Sequence, residues 1–133
     1  MKVYIADSNI FLRFFLQDNP AQAATAEDYF RKAQKKQIEV RVISEIIPEI
    51  EYVLSKVYKE KREDIFNWIS SVLKSQYLKV EQREIWLRVI SIYSKTKIDI
   101  VDALLMIKRN VDGGIILSFD KDFKKLEKLA SEN

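Results

Sequence analysis

Lys2-Val3-Tyr4-Ile5-Ala6-Asp7-Ser8-Asn9 is the stretch on which the fold turns. A short β-prone run ends in a carboxylate, and Ile10, Phe11, Phe14 and Phe15 follow at helical spacing. That pattern predicts a strand feeding directly into a helix over Ser8 to Leu16, with Asp7 at the strand's C-terminal end. In open parallel α/β sheets this edge is where ligands bind. Asp7 has two readings there: a helix N-cap accepting backbone N–H bonds, or a metal ligand.

Outward from this start, strands and helices alternate. The first helix breaks at Gln17-Asp18-Asn19-Pro20, and a second, alanine-built helix runs from Ala21 to about Lys36. Ile38 to Ile43 reads as a strand, and Ser44 opens a helix with apolar positions at 46, 50, 53, 54 and 57. On that helix Glu49 borders the apolar stripe and Glu51 falls on the opposite side. Arg62 to Leu73 is a further amphipathic helix, Tyr77 to Val80 a short strand, and Glu81 to Ser94 a helix. Ile98 to Ile107 reads as another, with acids at i and i+3 in its first turn and Asp99 in the capping position. After the turn at Gly113-Gly114, Ile115-Ile116-Leu117 is a continuous apolar run suited to a buried parallel strand. It leads into Ser118-Phe119-Asp120-Lys121-Asp122-Phe123 and a last helix to about Ala130. This alternation predicts an α/β fold with a parallel sheet covered on both faces. No repeat or linker interrupts it, so residues 1–133 read as a single domain.

Two absences narrow the chemistry. The 133 residues include no Cys and no His, which removes disulfides, thiolate nucleophiles, Cys-based zinc sites and the commonest general base. Catalysis, if any, rests on carboxylates, hydroxyls, Lys, Tyr or bound metal. No apolar run approaches membrane-spanning length and no signal segment precedes the first strand, so the expected location is cytoplasmic, away from membranes. A net charge of +3 is compatible with nucleic acid without pointing to it.

Four carboxylates then stand out. Asp7 and Asp120 each follow a predicted strand, while Glu49 and Asp102 lie in the early turns of helices. Strand C-termini and the N-termini of following helices share one edge of a parallel sheet, so all four are candidates for one pocket. Four anions at close range repel, and cations or protonation must relieve them. Hard oxygen ligands select Mg²⁺ or Mn²⁺. Such ions can hold a phosphodiester, activate a bound water and stabilise the leaving oxygen, chemistry that needs neither His nor Cys. Ser8, Asn9 and Ser118 stand beside the strand-end acids and are candidates for orienting them.

The same residues carry a resemblance. Ile5-Ala6-Asp7-Ser8-Asn9-Ile10-Phe11-Leu12-Arg13 resembles the opening hydrophobic-Asp-Thr/Ser-Asn signature of PIN domains. Pro48-Glu49-Ile50-Glu51-Tyr52-Val53-Leu54 is similar to their acidic helix start. Asp99-Ile100-Val101-Asp102-Ala103-Leu104-Leu105 resembles their Asp-x-x-Asp-Ala-Leu segment, and Ser118-Phe119-Asp120-Lys121-Asp122-Phe123 their closing motif. The small single-domain form resembles the VapC-type toxins of toxin–antitoxin pairs. The resemblance implies a three-layer α/β/α sandwich whose central, mainly parallel sheet has four or five strands. It further implies an Mg²⁺- or Mn²⁺-dependent endoribonuclease, usually a homodimer, acting on RNA and inhibited by a cognate antitoxin protein.

Carried over residue by residue, Asp7, Glu49, Asp102 and Asp120 fall on the family's four-acid site, with Asp99 and Asp122 secondary. Arg13 aligns with a basic residue common in these toxins and is the candidate substrate contact; its rival reading is a solvated helix charge. Ser stands at positions 8 and 118 where Thr is more usual, which keeps the hydroxyl. Pro48, directly before Glu49, makes Glu45 a rival ligand one turn earlier. Two other functions remain open from the residues: a PIN-like module that holds RNA or a partner without cutting, and a phosphohydrolase with Asp7 as nucleophile. Against the latter, position 9 is Asn where Asp-x-Asp chemistry needs a second Asp. The apolar positions Ile10, Phe14, Phe15, Val72 and Leu73 are candidates for a dimer or antitoxin face, or for the core.

Overall fold

A computed structural model describes residues 1–124, which divide between two compact units, one over Met1–Gln82 and the other beginning at Arg83. The predicted final helix lies almost wholly outside the described residues.

In the first unit, strand β1 (Val3–Ile5) passes through Asp7 into helix α1 (Ser8–Leu16). Gln17 ends α1 in a left-handed conformation with φ 55°, and its N–H donates to the Arg13 carbonyl. Asn19 then caps helix α2 (Pro20–Gln34): its side chain accepts from the Gln22 N–H, and Pro20 occupies the first helical position where its missing donor costs nothing. Strand β2 (Glu39–Val42) leads to helix α3 (Ile46–Tyr52), which continues as one π-helical turn, Val53–Val57. Helix α4 (Arg62–Lys74) and strand β3 (Leu78–Val80) complete the unit.

The three strands form one parallel sheet in the order β1-β2-β3. Tyr4 lies opposite Val40, and Val40 opposite Leu78, so β2 is the central strand. Each parallel step needs a helical crossover, supplied first by α1 and α2 and then by α3 and α4. The core is apolar where the periodicity requires it. Ala23, Ala26 and Ala33 present a small-residue face on α2, and Phe11 stacks on Phe30 at 5.5 Å between α1 and α2. Phe14 meets Phe30 edge-on at 5.1 Å, and Phe15 stacks on Trp68 at 5.7 Å. Val72 and Leu73 are buried, which assigns them to the core and not to an external face.

Glu49 and Glu51 exchange the environments that the sequence suggests: Glu49 is exposed and Glu51 half-buried. The cause is Ile47, fully buried beside Ile46, Ile50 and Leu54. It widens the buried stripe toward its i+4 neighbour, which is Glu51.

The second unit pairs helix α5 (Arg83–Lys95) with helix α6 (Ile100–Asp112). Trp86, Val89 and Tyr93 of α5 and Ala103, Met106 and Ile107 of α6 are buried. Asp99 caps α6 by accepting from the Val101 N–H at 2.8 Å. Gly113 ends it at φ 69°, the left-handed position that glycine tolerates without strain.

One predicted strand is not formed. Ile115-Ile116-Leu117 has no strand structure, and Ile115 and Leu117 are almost fully exposed. Consequently the described sheet has three strands where four or five were expected. A strand exists only through its ladder, and the described part of this unit offers two helices and no strand edge. Among the described residues no helix is long and apolar enough to cross a membrane.

Candidate active site

Asp7 sits where the strand-to-helix reading places it. Its Oδ1 accepts from the Ser8 N–H at 2.8 Å, making it the N-cap of α1, and its second oxygen lies 3.5 Å from the Asn9 amide nitrogen. The cap therefore occupies one oxygen strongly and leaves the other exposed, so capping and ligation are compatible at this residue. Ser8 is buried beneath it. Glu49, in the same unit, stands exposed in the first turn of α3. Glu45 occupies the N-cap position of that helix with no side-chain capping bond, so both acids are available as oxygen donors.

In the second unit Asp102 lies half-buried in the first turn of α6. Burial raises its pKa above the ordinary carboxylate value, and the negative charges of Asp99 and then Asp120 raise it further. The structure thus brings Asp99 and Asp120 each within electrostatic reach of Asp102. Asp120 accepts from the Asp122 N–H at 2.9 Å, and its own N–H donates to the Ser118 hydroxyl oxygen at 3.0 Å. These bonds hold an exposed local turn; Ser118 meets the backbone of Asp120 and not its carboxylate. Asp122 is likewise exposed and contributes its N–H to that turn. Among the described residues no group of three acids is close enough to hold a metal ion. The candidate residues nevertheless suit a hard cation in their chemistry: all are oxygen donors, and the burial and neighbouring negative charges that raise the Asp102 pKa are penalties on its charge that a cation would relieve.

Arg13 is neither a solvated charge nor an open phosphate contact. Its Nη1 donates to both Asp18 oxygens at 2.8 Å, and its Nη2 donates to the Tyr58 hydroxyl at 2.6 Å. The side chain is 18% exposed and its Nε is buried without a partner. The Tyr58 bond raises its pKa most, with the Asp18 charge adding to it against the opposing effect of burial. Asp18 lies beyond the end of α1 and Tyr58 lies 45 residues along the chain, so no local pattern announces either partner.

The model of the PIN domain matches residues 4–129 and so runs through both units. The chain belongs to the PIN domain family. A relative from Aquifex aeolicus (strain VF5), a VapC ribonuclease, is 30% identical over 123 residues, covering 92% of this chain and 90% of the relative. That match places this PIN domain among the VapC-type members. No solved structure matches the chain.

Proposed function

We propose that this PIN domain is a divalent-metal-dependent endoribonuclease, the toxin of a toxin–antitoxin pair, working as a single domain over residues 1–133. The match to a VapC ribonuclease along 92% of the chain carries the reading. The residue chemistry supports it, because metal held by carboxylates is a route that needs neither His nor Cys, and the chain has neither.

Asp7, Glu49, Asp102 and Asp120 are the acids we assign to Mg²⁺ or Mn²⁺. When bound, the metal supplies positive charge for a phosphodiester and for water activation. The chain's own contributions are distinct. The Ser8 N–H fixes the rotamer of Asp7, so one oxygen is presented in a set direction. The Asp122 N–H does the same for Asp120. Burial and the charges of Asp99 and Asp120 raise the Asp102 pKa, so a proton would compete with a cation for this carboxylate and metal affinity would rise with pH. Asp99, Ser8, Asn9 and Ser118 are positioning residues. The partners of this reading are an RNA substrate, a cognate antitoxin protein and a second copy of the chain, in the cytoplasm.

The test is cleavage of a labelled structured RNA by the purified protein with Mg²⁺, with Mn²⁺ and with EDTA, beside Asp102→Asn. Cutting that needs metal and falls at least about a hundredfold in the variant is the expected result. Full activity of the variant would overturn the assignment of Asp102. Metal binding without cutting of any RNA would identify instead a PIN-like module that holds RNA or a partner.

A further inference from the structure

Beside Asp7, within the first unit, a groove of about 480 Å³ is lined by Asn9, Ile10, Arg13, Gln22 and Thr25. Its size is that of a small-ligand pocket. Its polar lining carries one charged side chain, Arg13, and that charge is paired with Asp18. The Arg13 guanidinium is held by Asp18, through Nη1, and by Tyr58, through one N–H of Nη2, and the Asp18 carboxylate balances its charge. A phosphate entering here would have to displace that pair. Beside Arg13 stand uncharged groups with hydrogen-bonding capacity to spare. The Gln22 side-chain amide makes no bond among the described residues, since only its backbone N–H is used, by Asn19. Thr25 donates its hydroxyl proton to the Ala21 carbonyl at 3.0 Å and so presents acceptor lone pairs. Asn9 turns its nitrogen toward Asp7 and keeps its amide oxygen free.

Amide pairs, a hydroxyl acceptor, one apolar wall and a guanidinium held in place are the groups that read the edge and face of an unstacked base. The guanidinium is fixed by partners from the α1–α2 turn and from the end of the π-helical turn, so it needs no ordering on binding. Asn9 belongs both to this groove and to the surroundings of Asp7. We propose that the α1–α2 groove is a base-recognition pocket for one single-stranded RNA nucleotide next to the scissile phosphate, with Gln22 and Thr25 as its specificity-determining residues. The inference rests on the reading of RNA as substrate, and it names which part of the chain chooses the cleavage site.

The probe is a set of four fluorescein-labelled decaribonucleotides identical except for one central base, bound in EDTA and followed by anisotropy. The wild-type chain is expected to favour one base by about tenfold or more, in the range of a single well-formed base contact. Gln22→Ala and Thr25→Val, both exposed helix positions, are expected to bring the four oligonucleotides within about twofold of one another while the thermal melt is unchanged. Equal binding of all four by the wild-type chain, or no binding, overturns the pocket. A preference that survives both substitutions places base recognition outside this groove and overturns it as well. Because no metal is present, cleavage is scored separately. Base preference without cutting under Mg²⁺ would sink the nuclease reading and leave the pocket standing; cutting with no preference would do the reverse.

Discussion

Two stretches of this chain carry nearly the same local message and meet different fates. Val3-Tyr4-Ile5 before Asp7 and Ile115-Ile116-Leu117 before Asp120 are both apolar runs ending near a carboxylate that precedes a helical pattern. The first is a strand, because β2 provides a parallel ladder with Tyr4 opposite Val40. The second is exposed and unpaired, and the described part of its own unit contains only α5 and α6. The carboxylates differ accordingly. Asp7 caps a nine-residue helix, whereas Asp120 closes a turn with the Asp122 N–H. A strand signal is a statement about a partner, and local sequence does not contain the partner.

The largest effect that separates the two regions is expected in the packing behind them. Phe11→Ala, which removes a 1% exposed ring stacked on Phe30, should cost about 3–5 kcal/mol in urea unfolding. Leu117→Ala in the metal-free chain should change stability by less than about 0.5 kcal/mol. A core-sized cost at Leu117 would show that the run is packed in solution and would break the contrast.

The two acids sharpen it at a smaller scale. Asp7→Ala should lose about 1 kcal/mol through the missing N-cap, whereas Asp7→Asn, an equally good cap, should keep stability and lose RNA cleavage. If Asp7→Asn were as unstable as Asp7→Ala, the carboxylate would be acting through charge and not through its hydrogen bond.

The smallest effect is electrostatic and carries a sign. The folded-state pKa of Asp102 is raised, so the folded chain holds this proton more tightly than the unfolded chain does. The ionised group is therefore a destabilising one at neutral pH, and the penalty fades as pH falls through the folded-state pKa toward the ordinary value of 3.8. Metal-free Asp102→Asn should melt slightly higher than the parent at pH 7, by under about 1 kcal/mol after solvent screening, with the difference vanishing in acid. Added Mg²⁺ should reverse the order by stabilising the parent alone. A variant that is less stable at every pH would remove the like-charge account.

Many of the element ends in both units are legible in the chain itself. Asp7 at a strand end, Asn19-Pro20 opening α2, Asp99 capping α6 and Gly113 closing it are local choices, each made by one residue's dihedral preference or one side-chain bond. The candidate acids are legible as positions for the same reason. The environments of those acids were less so. Ile47 turned the buried stripe of α3 toward Glu51, and the pairing of α6 with α5 left Asp102 half-buried with a raised pKa.

By itself, then, the sequence determined the alternation of strands and helices, the residues that cap α1, α2 and α6, and that no His or Cys takes part in the chemistry. Only the tertiary structure decided that Arg13 is clamped between Asp18 and Tyr58, that Val72 and Leu73 are core, and that residues 115–117 lack a ladder. Caps and turns are bonded within a few residues, so local sequence holds both partners. Clamps, burial and strands depend on groups brought together from distant parts of the chain, and those meet only when it folds.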